Sequence, residues 1–285
     1  MRAVEPCYSC IEKLAYRVAE LIGKTESSTK KTEALEEGIS YLEENFSTEW
    51  IPANLAGNMQ SRMKEVSGCS DPFQRVKDKE MQRARQLSSE FHPQEDATEK
   101  ELIEFAVKGN SVDFFVDLDK MREQITAPVN FFIDDTGWFL EKLHTLKDNP
   151  RAKLLYFADN AGEYYFDLPL LGRLQQYTNV YYVIKEKPIQ NDISLEEVNR
   201  MGLNVPSKIV STGTDTPGLY PEIASAGFME LYREADLILA KGMGNYETLP
   251  DLSLPAPALL LFKAKCMPVA ESIGVPLDSY VAAKH

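Results

Sequence analysis

Apolar positions in the first half of the chain recur with the spacing of amphipathic helices. One clear stripe lies between residues 11 and 22, where apolar side chains fall on one face at a 3.6-residue period and Gly23 follows as a C-cap. Asp71-Pro72 reads as an N-cap followed by proline at the first helical position. The pattern predicts helices over residues 11–22, residues 30–45, Asp71 through Arg85, and residues 98–107.

The pattern changes after Asn149-Pro150, where short apolar runs alternate with helix-compatible segments. Runs some 20–30 residues apart, with helical sequence between them, are typical of βαβ units and a mostly parallel sheet covered on both faces. We therefore predict an α/β protein with a mainly α-helical domain over residues 1–148 and an α/β domain over residues 149–285. The predicted strands cover residues 153–158, 180–184, 207–211, 235–240 and 258–263.

Composition narrows the classes of protein. The 285 residues include 44 acidic and 31 basic side chains, a formal net charge of −13. Such a chain repels phosphodiester backbones and anionic lipid surfaces, so we expect no nucleic-acid partner and no membrane partner. No apolar run approaches the roughly 18 residues of a membrane span, the first ten residues lack a signal h-region, and four cysteines are too few for a disulfide scaffold. These features predict a folded cytoplasmic protein.

Polar residues follow each predicted strand, at the edge where open α/β sheets bind ligands. The five strand ends are followed by Asp159-Asn160-Ala161-Gly162-Glu163, by Lys185 through Asp192, by Thr212 through Gly218 with Asp215, by Lys241-Gly242-Met243-Gly244-Asn245-Tyr246-Glu247, and by Lys265-Cys266.

The chemistry of these residues favours phosphoryl transfer to water. Asp159, Asn160 and Asp192 offer hard oxygen ligands that suit Mg²⁺ or Mn²⁺. Lys241 and Lys265 are cations for an anion's oxygens, and a helix opening at Asn160 would present free N–H groups to a phosphate. A structural interpretation stays open at this point, because Asp and Asn after a strand often only cap helices and the Lys241–Gly244 turn does not match a P-loop.

The remaining polar segments carry weaker signals. Cys7-Tyr8-Ser9-Cys10 is a lone CxxC ahead of a predicted helix, so zinc would need further ligands such as Cys69 and Cys266. The isolated His92, His144 and His285 argue against a histidine metal centre or a catalytic triad. Gly109-Asn110-Ser111-Val112-Asp113 either caps a helix or turns Asn110 and Asp113 toward the site, and Asp134-Asp135-Thr136-Gly137 is expected to form a turn.

Taken together, these segments resemble the damage-control phosphatases, known as domain-of-unknown-function family 89. Phe157-Ala158-Asp159-Asn160-Ala161-Gly162-Glu163 resembles the family's D-N-x-G-E signature, and four further motifs follow in order over nearly the whole chain. The CxxC and the Asp71-Pro72-Phe73 segment are similar to those of the archaeal-type subfamily I. The further motifs are Pro188-Ile189-Gln190-Asn191-Asp192, Thr212 through Gly218, Lys241 through Glu247, and Lys265-Cys266-Met267-Pro268-Val269-Ala270.

The resemblance implies a helical N-terminal domain, a three-layer α/β/α domain with a Rossmann-like sheet, and phosphatase activity on small phosphorylated metabolites. It implies one divalent ion (Mn²⁺, Ni²⁺, Co²⁺ or Mg²⁺) on Asp159, Asn160 and Asp192. Asp159, Glu163 or Asp215 would position the attacking water. The resemblance leaves the roles of Cys7, Cys10, Lys265-Cys266 and Gly244-Asn245-Tyr246-Glu247 unexplained. Phosphate or substrate contacts are expected from Glu163, Lys241, Lys265, Gly162, Asp215, Asn245 and Asn110.

Two alternatives remain at this point. Relatives have been labelled carboxyl methyltransferases, so the sheet could bind S-adenosylmethionine, although no glycine-rich turn follows its first predicted strand. The chain could also be a non-catalytic metabolite-binding module, against which the intact Asp159, Asn160, Asp192, Lys241 and Lys265 argue. Candidate substrates are sugar phosphates and damaged nucleotides or their biosynthetic intermediates. The sequence leaves the substrate, the preferred metal and the oligomeric state open.

Overall fold

The computed structural model describes residues 1–111 and 118–285. Val112 and Asp113 of the polar segment noted above lie outside these ranges. The described helices are Glu5–Ile22 (α1), Ser28–Asn45 (α2), Pro52–Ser67 (α3), Gln74–Glu90 (α4), Glu99–Lys108 (α5), Leu118–Thr126 (α6), Thr136–Thr145 (α7), Tyr164–Leu174 (α8), Leu195–Met201 (α9), Ala226–Arg233 (α10), Met243–Thr248 (α11) and Met267–Ile273 (α12). The strands are Phe131–Asp134 (β1), Lys153–Phe157 (β2), Asn179–Ile184 (β3), Lys208–Ser211 (β4), Leu237–Lys241 (β5), Ala258–Lys263 (β6) and Tyr280–Lys284 (β7).

The seven strands form one sheet in the order β1-β7-β6-β5-β2-β3-β4. All neighbouring pairs are parallel except β6 and β7. The chain runs outward from β2 through β3 to β4 and then returns to the other side of β2 to form β5. The carboxyl ends of β2 and β5 therefore lie at a topological switch point, where open α/β sheets bind their ligands. The predicted α/β class, the mostly parallel sheet and all five predicted strands are confirmed.

Alternating side chains of the strands pack into two separate cores, which makes the sheet the middle of three layers. Leu154 and Tyr156 of β2 face one core together with α5, α7 and α8. Leu155 and Phe157 of β2 face the other core together with α10, α11 and α12. The helices α1, α2 and α3 pack around a third cluster that contains Ala15, Val18 and Met59. This helical unit stands beside the three layers and contributes α1 and α3 to the cavity described below.

The four predicted helices are present, with corrected boundaries. Helix α1 begins at Glu5, so Cys7 and Cys10 lie inside it rather than ahead of it. Asp71 is not the N-cap of α4, because the helix begins at Gln74 and Asp71 Oδ1 accepts the Phe73 N–H at 3.0 Å. The turn predicted at Asp134–Gly137 is wrong, because Asp134 ends β1 and Thr136 begins α7.

Several elements were not predicted from the sequence, among them α3, α6, α7, β1 and β7. Strand β1 pairs with β7, so the sheet takes strands from both sides of the predicted boundary between residues 148 and 149. The division of the chain at that boundary stays a prediction. No helix within residues 1–111 and 118–285 is long and apolar enough to cross a membrane.

Candidate active site

Backbone hydrogen bonds connect the loop after β2 with the loop after β3. These bonds bring three of the predicted site residues close together. Asn160 and Asp192 form an isolated antiparallel bridge. The Ile193 N–H donates to the Asp159 carbonyl at 2.9 Å, and the Ala161 N–H donates to the Asn191 carbonyl at 2.7 Å. The carboxylates of Asp159 and Asp192 and the amide of Asn160 consequently meet at the switch point, as the sequence predicts.

The amide of Asn160 is oriented by two carboxylates. Its Nδ2 donates to Asp159 Oδ2 at 3.0 Å and to Glu163 Oε1 at 2.8 Å. Because both donor positions are used, the Oδ1 atom faces away from these carboxylates, and no residue of the described ranges donates a hydrogen bond to it. A free amide oxygen beside two carboxylates is a suitable oxygen ligand for a hard divalent cation.

The loop after β5 closes this site from the other side of the switch point. Gly242 adopts the left-handed φ of +85°, and a Cβ built at this position would lie 2.1 Å from Asp159 Cγ. The main chain of the loop therefore lies directly against the Asp159 carboxylate. Only glycine combines this φ with such a close approach.

Negative charge accumulates at the base of the site. Burial raises the pKa of Asp159 well above its ordinary value, and the neighbouring Glu163 and Asp192 carboxylates raise it further. Burial also raises the pKa of Asp192 to about 6, although Lys185 opposes this shift from 3.9 Å. A divalent cation would relieve the repulsion between these carboxylates, so the donor set fits a metal ion. Within the described residues no three His, Cys, Asp or Glu side chains form a metal centre, so the candidate donor set depends on Asn160.

Lys241 lies beneath the site rather than in its wall. The side chain is fully buried, and its Nζ pairs with Glu163 Oε2 and Asp167 Oδ1, each at 2.6 Å. Burial alone would lower the pKa of Lys241, but the two carboxylates raise it above its ordinary value. Tyr156 and Tyr182 donate their hydroxyls to the Asp167 carboxylate at 2.8 and 3.0 Å. The expected contact between Lys241 and a phosphate is therefore replaced by a buried charge network.

A cavity of about 410 Å³ opens above the acidic base. Its polar wall includes Asp159, Asn160 and Asp192, and helices α1 and α3 add an apolar wall. Two buried amide atoms in the polar wall, Asn110 Nδ2 and Asn245 Oδ1, have no hydrogen-bond partner among the described residues. Unpartnered polar atoms that face a cavity are available to a ligand. The apolar wall is formed by Ile11, Leu14, Pro52, Ala53 and Ala56.

The predicted residues divide into those that line this cavity and those that do not. Gly162 packs beside α4, with Ala84 Cβ and Glu80 Cβ each 3.6 Å from the position of an added Cβ, and Asp215 Oδ2 pairs with Lys64 Nζ at 2.9 Å. The first group comprises Asp159, Asn160, Asp192, Lys265, Asn110, Asn245, Gly244, Glu247 and Cys10. The second group comprises Glu163, Lys241, Gly162, Asp215, Cys7, Tyr246 and Cys266.

Three polar residues of the wall, Lys263, Gln190 and Asn191, were not singled out by the sequence reasoning. Lys263 is the last residue of β6, whereas the sequence reasoning considered only the residues that follow each predicted strand. Gln190 adopts a positive φ of +46°, which is uncommon for a residue other than glycine and which no local pattern indicates. All three lie beside predicted residues: Lys263 is close in sequence to Lys265, and Gln190 and Asn191 directly precede Asp192.

The fold and the position of the acidic loops place the chain among the Rossmann-like α/β/α proteins, which bind small ligands where strand order reverses. Within this class, the chain belongs to the damage-control phosphatase family, since the model of the damage-control phosphatase ARMT1-like domain matches residues 3–281. This confirms the resemblance seen in the sequence.

Similar proteins of known name agree with this assignment. The damage-control phosphatase PH1575 of Pyrococcus horikoshii is 30% identical over 292 residues, which cover 100% of this chain and 99% of the relative. A damage-control phosphatase of Archaeoglobus fulgidus is 30% identical over 281 residues, with 97% and 96% of the two chains covered. The crystal structure of PH1575, described as a DUF89 family protein, superimposes with a TM-score of 0.86 at 28% identity and covers 100% of this chain and 99% of its own.

Proposed function

We propose that this chain is a divalent-metal-dependent phosphatase with a house-cleaning role, and that it hydrolyses phosphomonoesters of small metabolites. Membership of the damage-control phosphatase family supports the phosphatase activity and favours it over methyl transfer and over passive ligand binding. The observation that carries the proposal is the meeting of Asp159, Asn160 and Asp192 at the base of a cavity whose wall also contains lysines.

In this proposal Asp159, Asn160 and Asp192 hold one divalent ion, which is Mg²⁺, Mn²⁺, Co²⁺ or Ni²⁺. When bound, such an ion polarises a phosphoryl oxygen and offsets the charge that develops at phosphorus. Glu163 does not line the cavity, so its part is to hold the Asn160 amide through the 2.8 Å hydrogen bond. Lys241 then keeps Glu163 ionised and fixed in position from below.

The phosphate is assigned to the exposed Lys265, whose ammonium has no ion pair among the described residues, and to the free Nδ2 of Asn110. Asn245 and Gly244 contact the ligand from the first turn of α11. Of the three carboxylates that the sequence left as candidates for positioning the attacking water, only Asp159 lines the cavity. We therefore assign the water to Asp159, while Glu163 and Asp215 act elsewhere.

The leaving group faces α1 and α3, which contribute apolar side chains to the cavity. A cavity of about 410 Å³ suits a phosphorylated metabolite of modest size, such as a sugar phosphate or a nucleotide-pathway intermediate. The cytoplasmic location expected from the sequence remains a prediction.

The test replaces one ligand of the proposed metal site and one acidic residue outside the cavity. We expect Asp192→Asn to lose most metal-dependent hydrolysis of p-nitrophenyl phosphate and to bind Mn²⁺ more weakly in calorimetry. Asp215→Asn is the matched control, because Asp215 pairs with Lys64 outside the cavity wall. Chelation should abolish wild-type activity, and added divalent metal should restore it. Full activity of Asp192→Asn, or activity that chelator leaves unchanged, would contradict the proposal.

A further inference from the structure

Two buried amide side chains in the cavity wall each have one polar atom without a hydrogen-bond partner among the described residues, and these two atoms are of opposite kinds. Asn245 Nδ2 donates to the carbonyl of Lys241 at 2.7 Å and to that of Ala158 at 3.3 Å, so both of its donor positions are used. Asn110 Oδ1 instead accepts the Lys263 N–H at 3.2 Å. Asn245 therefore presents an oxygen that accepts, and Asn110 presents a nitrogen that donates.

The same hydrogen bonds fix the orientation of each amide. Rotating the Asn245 amide by half a turn would set its oxygen against two carbonyl oxygens, and rotating that of Asn110 would set its nitrogen against a backbone N–H. Asn245 and Asn110 are only 3% and 2% exposed. A buried polar atom without a partner costs free energy, so the cavity favours a ligand that supplies the matching group at each position.

A phosphate group matches only one of the two amides. Near neutral pH a phosphomonoester carries a charge of about −1.5 to −2, so its non-bridging oxygens act as hydrogen-bond acceptors. Asn110 Nδ2 is able to donate to such an oxygen, whereas Asn245 Oδ1 would repel it. The Asn245 oxygen therefore requires a donor that the phosphate does not carry.

The position of α11 indicates that this donor belongs to the organic part of the substrate. Asn245 lies in the first turn of α11, and Glu247, two residues later, accepts the Ala53 N–H at 2.8 Å. This bond joins α11 to the start of α3, which belongs to the apolar wall assigned to the leaving group. On its other side the Asn245 amide is held by Ala158, which directly precedes Asp159. Asn245 thus lies where the leaving-group wall meets the acidic base, close to the phosphorus end of the leaving group.

We propose that Asn245 makes the enzyme selective for phosphomonoesters whose leaving group carries a hydroxyl on the carbon next to the ester carbon. That hydroxyl donates to Asn245 Oδ1, while Asn110 Nδ2 donates to the phosphate. The inference rests on the proposed function and narrows its substrates to vicinal hydroxy phosphates, an arrangement that phosphorylated polyols and sugars share. Simple alkyl and aryl phosphates leave the Asn245 oxygen unpaired and are hydrolysed less efficiently.

The test compares two esters that differ by one hydroxyl, 2-hydroxypropyl phosphate and propyl phosphate. With Mn²⁺ present, we expect the wild type to hydrolyse the hydroxy ester with a kcat/KM at least about tenfold higher, because the plain ester leaves a buried acceptor unpaired. The readout is the ratio of the two kcat/KM values, which does not depend on the fraction of active protein. Hydrolysis of both esters with a ratio near one would overturn the inference and leave the proposed phosphatase activity intact.

Asn245→Leu and Asn110→Leu form a matched pair of variants. Asn245→Leu removes the free acceptor, so we expect the ratio to fall close to one. Asn110→Leu removes a phosphate contact that both esters share, so both kcat/KM values should fall together and the ratio should keep its wild-type value. An unchanged ratio in Asn245→Leu, with equal losses for the two esters, would assign Asn245 to the attacking water and overturn the inference.

Calorimetry separates the inference from the proposed function. If the wild type hydrolysed neither ester with Mg²⁺, Mn²⁺, Co²⁺ or Ni²⁺, the proposed function would be contradicted. The two esters, titrated as unreacted ligands into the same metal-loaded protein, should then still differ about tenfold in Kd in favour of the hydroxy ester. Equal affinities, or binding of neither ester, would overturn the preference assigned to Asn245.

Discussion

Gly242 lies so close to Asp159 that a Cβ added to the glycine would stand 2.1 Å from the carboxylate carbon. The contact joins the loop after β5 to the loop after β2 across the switch point of the sheet. Any side chain at position 242 must displace either the proposed metal ligand or the start of α11, which carries Gly244 and Asn245. The relationship therefore connects a backbone requirement directly with the proposed chemistry.

Gly242→Ala is the simplest test of this contact. We expect the substitution to reduce kcat/KM by roughly a hundredfold, because a displacement of about 1 Å at a reacting group has effects of this size. Gly227→Ala, on α10 and away from the cavity, is the matched control, since no atom of the described residues lies within 4 Å of a Cβ added there. Calorimetry with Mn²⁺ should show weaker binding to the 242 variant only. Equal losses in both variants would contradict the specific role of the Asp159 contact.

Lys241 and Lys265 are predicted to have different roles, although the sequence suggests that both bind phosphate. Lys241 stabilises the fold, and Lys265 binds the phosphate. Lys241→Met should destabilise the fold by roughly 3–5 kcal/mol, because Glu163 and Asp167 would remain buried without their partner. Lys265→Met should leave the urea midpoint nearly unchanged and raise KM for a phosphate ester, because this lysine is exposed. Urea unfolding and steady-state kinetics on the two variants separate these roles. A stable Lys241→Met protein with a raised KM would instead assign the phosphate to Lys241.

The difference between these two lysines shows how much of the site can be predicted from the sequence. The ends of the strands predict where polar side chains meet, and Asp159, Asn160, Asp192 and Lys265 do line one cavity. Lys241, however, is the last residue of β5 and shares the alternation of Leu237 and Leu239, whose face packs against α8. Its side chain consequently turns into the core toward Asp167. The alternation of side chains along β5 predicts this inward orientation of Lys241. That prediction requires knowing that the strand extends to residue 241.

Other features could not be predicted because they depend on contacts between residues far apart in the sequence. Strand β1 is four residues long and lies beside helical sequence, so its identity as a strand depends on β7, nearly 150 residues later. The apolar wall of the cavity comes from α1 and α3, whose orientation against the sheet no local pattern specifies. Local periodicity thus predicted elements and the acidic site, while tertiary packing decided which lysine, which cysteines and which helix faces reach the cavity.

A buried ion triad connects the segment before α4 with α9, and its loss is predicted to be costly. Lys77 Nζ lies 2.8 Å from Asp71 Oδ2 and 2.6 Å from Glu197 Oε1, with all three side chains almost fully buried. Lys77→Met should lower the free energy of unfolding by roughly 3–5 kcal/mol, because two carboxylates would lose their buried partner. Urea unfolding measures this change.

Lys100→Met is the control for the triad. Lys100 pairs with Asp134 at 2.7 Å, but both side chains are substantially exposed. Exposed pairs contribute about 1 kcal/mol or less, so this variant should unfold close to the wild type. If the two variants lost similar free energies of unfolding, burial would not increase the contribution of the Lys77 ion pairs to stability.

Glu247 is predicted to make stability depend on pH. Burial raises its pKa to about 7, although the Ala53 N–H and the amino terminus oppose the shift. Because the pKa in the folded state lies above that in the unfolded state, the contribution of Glu247 to stability is complete below about pH 4.5. It is then lost as the pH rises through about 7. Glu247→Gln keeps an acceptor for the Ala53 N–H and removes the titrating group.

We therefore expect the stability of Glu247→Gln relative to wild type to increase by roughly 2 kcal/mol between pH 5 and pH 8. Urea unfolding at intervals across this range gives the difference at each pH. Glu36→Gln, at an exposed position on α2, is the control for the removal of one carboxylate. The difference in the free energy of unfolding between Glu247→Gln and the wild type should rise mainly between pH 5 and pH 7. It should level off above pH 7, because Glu247 is then ionised in both the folded and the unfolded state. A difference that stays constant from pH 5 to pH 8 would contradict the raised pKa of Glu247.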